Sequence, residues 1–264
     1  MLSRKFSFLA LFLLLVSCSK VPITNRKQVN MLPETTLIGM SVSNYREFLS
    51  KNPAVNATAA DAQLVKKVGQ NMSSAVSKFM REKHLTKRIR DYKWEFNLVN
   101  KNEVNAWCMP GGKVVVYSGL LPLTQNESAL AAVMGHEIAH AVARHGNERM
   151  SQLLLVNVGA IGLAVALSQK PSETNQLFFA AYGVGSTLGV LKYSRVHESE
   201  ADKMGLVFMA MAGYNPTEAV AFWERMAKQG GPKMPELLST HPSDETRIKD
   251  IKAFLPTAMN YYKK

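Results

Sequence analysis

Cysteine is nearly absent: the 264 residues hold two, Cys18 and Cys108. A fold stapled by several disulfides is therefore excluded. Also missing is any stretch of the roughly 20 apolar residues that a membrane-spanning helix needs. The apolar run Phe6 to Val16 is too short, and Leu153 to Leu167 and Leu177 to Leu191 are 15 residues each. Acidic side chains are scarce, 20 against 32 basic ones, a net charge of +12. Such a balance favours anionic lipid head groups, lipopolysaccharide or acidic substrates. No nucleic-acid-binding motif accompanies the charge, so no nucleic acid partner is expected.

Arg4 and Lys5 ahead of the apolar run read as the start of a secretory signal, and Leu15-Val-Ser-Cys18 resembles a bacterial lipobox. The expectation is a lipoprotein signal peptide over 1–17, a lipidated Cys18 holding the chain to the membrane, and an extended tether over 18–35. Several acyl chains on one residue give stable anchoring where one is marginal. Ser19-Lys20 carries no obvious inner-membrane mark, so the expected address is the outer membrane facing the periplasm. Without residues 1–17 the chain keeps 30 basic and 20 acidic side chains. Residues 36–264 are ample for one sizeable domain. With Cys18 lipidated, Cys108 has no partner and reads as a buried apolar side chain.

The most informative segment is Gly135-His-Glu-Ile-Ala-His140. On an α-helix His136 and His140 lie one turn apart on the same face, where two imidazoles can bind one Zn²⁺. Glu137 stands beside them, placed to act on a water at the metal. Thr124-Gln-Asn-Glu127 reads as a capping box and Gly146 as a stop, giving a helix of about six turns near 125–145. Downstream, Glu198 and Asp202 are again one helical turn apart. Glu198 serves as third ligand, and Asp202 accepts from the outer N–H of a ligand histidine. Glu200 points elsewhere.

These blocks resemble the zinc metalloendopeptidase family of the CAAX prenyl endopeptidase and HtpX type, a gluzincin family. Asn105-Ala-Trp-Cys-Met-Pro-Gly-Gly112 is similar to its strand segment, and Ser239-Thr-His-Pro-Ser-Asp-Glu-Thr-Arg247 to its His-Pro…Arg segment. Nearest are its small periplasmic lipoprotein members, without the helical-repeat C-terminal domain of longer relatives. Trp107-Cys108-Met109 departs from the smaller apolar residues usual there, which bears on substrate preference. The resemblance implies an α+β fold: a mostly helical zincin-like domain with a small antiparallel sheet whose edge strand borders the site. It implies one Zn²⁺ per chain, and for His241 either an oxyanion donor or a resting-state zinc ligand, with Arg247 positioning that segment.

Around these landmarks, helices are predicted over Leu37–Leu49, Asp61–Met80, from Asn215 through Met226, and over Arg247–Leu255. Strands are predicted at Trp94–Val99 and Val114–Tyr117, the latter entered through the Pro110-Gly-Gly112 turn. The two apolar 15-residue runs read as a buried helical hairpin near the site rather than a membrane hairpin.

The expected chemistry is peptide hydrolysis, with Glu137 as base and then acid. Substrate is expected to add as a strand to an exposed edge formed by Asn105, Ala106, Trp107, Cys108 and Met109, which suits unfolded or misassembled envelope proteins. Two alternatives stay open: a zinc-binding chaperone or assembly factor with little proteolysis, and an exopeptidase.

Overall fold

A computed structural model describes residues 17–157, 178, 181–182, 193–229, 235–241 and 245–263. The expected tether is a folded hairpin instead. Strands β1 (Ser17–Lys20) and β2 (Lys27–Asn30) pair antiparallel, Ser17 opposite Asn30 and Lys20 opposite Lys27. Ile23 and Asn25 turn the chain with φ of 69° and 57°. Helix α1 (Glu34–Lys51) then begins within the segment read as extended.

Helix α2 (Ala60–Glu82) buries Val65, Val68, Met72, Val76 and Phe79, the face its apolar spacing predicts. Three strands follow: β3 (Glu95–Val99), β4 (Ala106–Met109) and β5 (Lys113–Tyr117), in the order β3-β5-β4. Gly111 and Gly112, at φ 83° and 82°, make β4 and β5 an antiparallel hairpin. A side chain at Gly112 would also meet the Trp94 ring at 2.6 Å. β3 docks on the other side of β5, running parallel to it. The sheet is therefore mixed, not wholly antiparallel. Alternate residues feed two apolar clusters: Ala106, Cys108, Val114 and Val116 on one side, Trp107, Met109, Val115 and Tyr117 on the other.

Helix α3 (Glu127–Ala143) carries the paired histidines. Its cap differs from the capping box read in the sequence. Thr124 turns its hydroxyl back to the Leu121 carbonyl, and Asn126 accepts the Ala129 N–H at 2.8 Å instead. The stop is not Gly146 either. Arg144 ends the helix at φ 66°, and Gly146 lies inside the next one, α4 (His145–Asn157).

Helix α5 (Arg195–Met211) is capped by Ser194, whose Oγ accepts the His197 N–H. It crosses α3 where two glycines face each other. A Cβ on Gly205 would sit 2.9 Å from the His136 nitrogen, and one on Gly135 3.1 Å from the Gly205 carbonyl oxygen. Only glycine permits so close an approach, and it brings the acidic face of α5 against the histidines of α3. Helices α6 (Thr217–Ala227), α7 (Glu236–Thr240) and α8 (Glu245–Met259) complete the described chain. Asn215 does not cap α6 directly. Pro216 precedes its first residue, and Asn215 accepts the Thr217 N–H. The last helix runs past its expected end at Leu255, with Pro256 inside it.

Most of the two apolar runs, Leu153–Leu167 and Leu177–Leu191, lies outside the described residues. Among the described residues no helix is long and apolar enough to cross a membrane.

Candidate metal centre and active site

One turn of α3 presents His136 and His140 to the first turn of α5, while α7 delivers His241 from a third direction. Two backbone bonds fix that last segment: Leu237 N–H to the Val104 carbonyl at 3.2 Å and Tyr193 N–H to the Thr240 carbonyl at 3.3 Å. His136, His140, Glu198 and His241 each offer one ligand atom, and those atoms all lie within 4.8 Å of one another. The two Nε2 atoms of His136 and His140 are 3.0 Å apart. Glu198 Oε1 is 3.4 Å from His140 Nε2 and 2.9 Å from His241 Nδ1. All four residues are 5% exposed or less.

The outer nitrogens are held separately. His136 Nδ1 lies 2.9 Å from Asp202 Oδ1, so His136 is the histidine that Asp202 partners. His140 Nδ1 meets His145 Nδ1 at 3.0 Å. Both rings therefore aim Nε2 at one point, the orientation a metal ligand needs. Glu198 Oε2 is buried without a hydrogen bond among the described residues. Arg247 Nη1 stands 3.0 Å away as an ion-pair partner, but not in line to donate. Three imidazole nitrogens and an unsatisfied carboxylate oxygen in this space fit a divalent ion of zinc type.

Charge compensation around the cluster is uneven. Burial alone would raise Glu198, yet His241, Arg247 and His136 outweigh it and hold its carboxyl well below the usual range. Asp202 is likewise lowered, its burial overcome by Arg247 and His136. Burial pushes His140 well down, leaving a neutral ring. Glu137 goes the other way. Burial raises it to about 7, opposed by His241 and reinforced by Glu198. Its Oε1 has no hydrogen bond among the described residues, and His241 Nε2 is 3.6 Å away. A carboxyl poised near neutrality, beside a metal-type cluster, has the proton affinity a general base requires.

Arg247 does more than position a loop. Its guanidinium grips both Asp202 oxygens at 2.8 Å, reaches the His241 carbonyl at 3.3 Å, and stacks 3.6 Å above the Trp223 ring. Beyond it, a cleft of about 250 Å³ is lined by Tyr193, Arg195, Ser199 and Asp250.

The segment Asn105–Met109 needs correction. By pairing, β4 is an edge strand, but it is not exposed: residues 105–109 are 5% exposed or less. Trp107 packs edge-on against Tyr45 and Phe48, so it belongs to the core. Cys108 is buried, and burial pushes its thiol well up, in keeping with an inert side chain. Any bond to a ligand would have to be made by backbone, which is covered along with the side chains. The Tyr117 N–H bonds to the Asn105 carbonyl, so Asn105, Trp107 and Met109 face β5, while Ala106 and Cys108 point to the free edge. The Ala106 N–H is taken by Asn105 Oδ1 at 2.8 Å.

A second buried cluster escaped the sequence reading. His145 Nε2 meets Glu200 Oε2 at 3.1 Å, and His197 Nε2 meets Glu148 Oε2 at the same distance. Arg26, from the turn between β1 and β2, joins both carboxylates with bonds of 2.7–2.9 Å. Tyr193 lies alongside, its ring 4.0 Å from that of His140. The two His-x-x-Glu spacings, His145–Glu148 and His197–Glu200, were the available signal. Although burial disfavours their charge, hydrogen bonds from Arg26, His145 and His197 hold Glu148 and Glu200 down at about 2. Lowered carboxylates bind fewer protons folded than unfolded, so their contribution is full above about pH 4.5 and is lost as pH falls toward 2. Denaturant midpoints measured from pH 5 to pH 2 should therefore fall steeply, and less steeply in Glu148→Gln. Equal slopes for the two would mean these pairs contribute nothing.

Residues 66–255 match the family model described as peptidase family M48. The mitochondrial metalloendopeptidase OMA1 of Schizosaccharomyces pombe is 33% identical over 245 residues, covering 90% of this chain and 66% of its own. The protein of that name from Arabidopsis thaliana is 37% identical over 164 residues, covering 62% of this chain and 32% of its own. The beta-barrel assembly-enhancing protease of Escherichia coli K12 is 32% identical over 165 residues, covering 60% and 34%. The chain thus spans between about a third and two thirds of the length of these relatives.

Proposed function

Since the chain belongs to peptidase family M48, we propose that it is a zinc-dependent endopeptidase acting on unfolded or misassembled proteins of the bacterial envelope. The observation that carries this reading is the buried group His136, His140, Glu198 and His241, whose ligand atoms all lie within 4.8 Å, with the Glu137 carboxyl buried beside it. His136, His140 and Glu198 hold one zinc. When bound, zinc polarises the substrate carbonyl and acidifies water. Glu137 would take the proton of the attacking water and return it to the leaving amine, one carboxyl serving both transfers. Asp202 and His145 keep the ligand rings oriented through their outer nitrogens. His241 Nδ1 sits among the ligand atoms, as a resting-state zinc ligand would, while Nε2 faces Glu137 and is the nitrogen left for an oxyanion-donor role.

Substrate adds to the edge of β4 through the Ala106 carbonyl and the Cys108 amide and carbonyl, which this structure covers, and such main-chain bonds discriminate little between sequences. Such recognition suits chains whose backbone is unpaired, and the Escherichia coli relative's name points to a link with beta-barrel assembly. The lipobox-like Leu15-Val-Ser-Cys18 supports lipid anchoring through Cys18, at an outer membrane and facing the periplasm.

Zinc-loaded protein incubated with a permanently unfolded polypeptide is expected to yield internal fragments, read by mass spectrometry. Release of single residues from the ends would identify an exopeptidase. Intact substrate with zinc demonstrably bound would favour the chaperone or assembly-factor alternative.

A further inference from the structure

His145, Glu200 and Arg26 belong to none of the motifs that define the metal centre, and Arg26 lies outside the 66–255 match. Yet the three form an unbroken chain ending on a ligand. Arg26 Nε and Nη2 donate to Glu200 Oε1 and Oε2 at 2.9 Å, and the Thr24 hydroxyl donates to Oε1 at 2.7 Å. Glu200 Oε2 lies 3.1 Å from His145 Nε2, and His145 Nδ1 lies 3.0 Å from His140 Nδ1. His145 is 0% exposed and Glu200 3%.

Proton placement along this chain is forced by its ends. A carboxylate already accepting from Arg26 and Thr24 can only accept from His145, so the proton sits on Nε2. His145 Nδ1 is then bare and must accept, so His140 carries its proton on Nδ1. His140 Nε2 is left as a lone pair facing His136 and Glu198. One hairpin arginine thereby sets the tautomer of a ring three bonds away.

The neighbouring His197 and Glu148 offer a rival reading, a second metal site. It is the weaker one. Arg26 already supplies the cation between the two carboxylates, bonding both at 2.7–2.9 Å. Among the described residues only the His136 group brings its ligand atoms close enough for a metal.

We propose that His145 is a positioning residue that fixes His140 as a metal ligand, and that Arg26 of the β1–β2 turn anchors it through Glu200. The hairpin is then part of the metal centre. This rests on zinc binding by His136, His140 and Glu198.

The test is zinc affinity of the full-length chain, measured by competition with a chromophoric chelator, with the unfolding midpoint of each metal-free variant alongside. Asn and Gln replace different halves of an imidazole. His145→Asn keeps a polar atom where Nδ1 stood, toward His140. His145→Gln keeps one where Nε2 stood, toward Glu200, and leaves His140 Nδ1 facing carbon. Outer-shell partners of this kind change affinity by about 10–100-fold. His145→Gln should weaken zinc by about that factor, with His145→Asn clearly closer to wild type. Arg26→Gln should weaken it too, and add little on top of His145→Gln, because both act on one chain of bonds.

Wild-type affinity in both His145 variants would overturn the proposal. So would equal losses in both that track the metal-free midpoints, since that is the signature of a core filler. If wild-type protein binds no zinc, or His136→Ala binds it as tightly, the metal reading itself fails and the proposal with it.

Discussion

Glu137→Gln is expected to lower kcat/KM on an unfolded polypeptide by about 10²–10⁴-fold, the usual contribution of a general base. Zinc content should stay at one per chain, because the substitution leaves His136, His140 and Glu198 in place. The amide has the same shape but no basicity, so it fills the same buried position and cannot take the proton. Stability sharpens the test. A carboxyl whose folded pKa is raised from 4.5 to about 7 favours folding below pH 4.5, relative to its effect at higher pH, and that advantage is lost as pH rises through 7. In metal-free protein at pH 8, Glu137→Gln should therefore be more stable than wild type, by roughly 3 kcal/mol for such a shift. Loss of activity with a gain in stability cannot come from misfolding. A loss of less than about tenfold would remove Glu137 from the role of base, and equal cleavage by both proteins would point to a contaminating protease.

The parts of this site that were legible in the sequence are those joined by local spacing. His136 and His140, like Glu198 and Asp202, share a helix face by a four-residue step, and the structure puts all four where that step implies. Helices α1 and α2 and strands β3 and β5 followed from apolar periodicity in the same way. Local signals misled where a polar side chain had a nearer partner. Thr124 spends its hydroxyl on the Leu121 carbonyl in a preceding helical turn, so the adjacent Asn126 caps α3. Arg144, not a glycine, adopts the left-handed turn between α3 and α4, placing His145 immediately at the start of a new helix.

What spacing cannot show is which distant residue answers a buried charge. Arg26 is 122 and 174 positions from its two carboxylates, and the hairpin holding it was read as a tether. The sequence reading turned Glu200 away from the metal, which is correct, but Glu200 is buried and ion-paired with Arg26 and His145. The edge strand failed for a related reason. Its pairing order matches the expectation, yet α3 on one side and Tyr45 and Phe48 on the other cover its side chains, and its backbone is covered with them.

The same logic of answered charge makes Arg247 the residue whose loss should cost the fold most. It is 7% exposed and serves two buried carboxylates, Asp202 and Glu198, from one planar guanidinium. Arg247→Met keeps an apolar stem against Trp223 but leaves two anions facing each other without their cation. Removing one partner of such a buried pair costs about 3–5 kcal/mol, most of it the penalty of the stranded charge. The urea midpoint of the metal-free protein should fall accordingly, with the slope unchanged. Zinc should recover part of the loss, because a cation among the ligand residues answers Glu198 but not Asp202. Arg247→Lys should fall between the two, since an ammonium restores the charge without the fork that grips both Asp202 oxygens. If the methionine variant matches wild type in metal-free protein, charge compensation is not what holds α8 to the site. If lysine and methionine fall equally far, the fork rather than the charge is what the fold depends on.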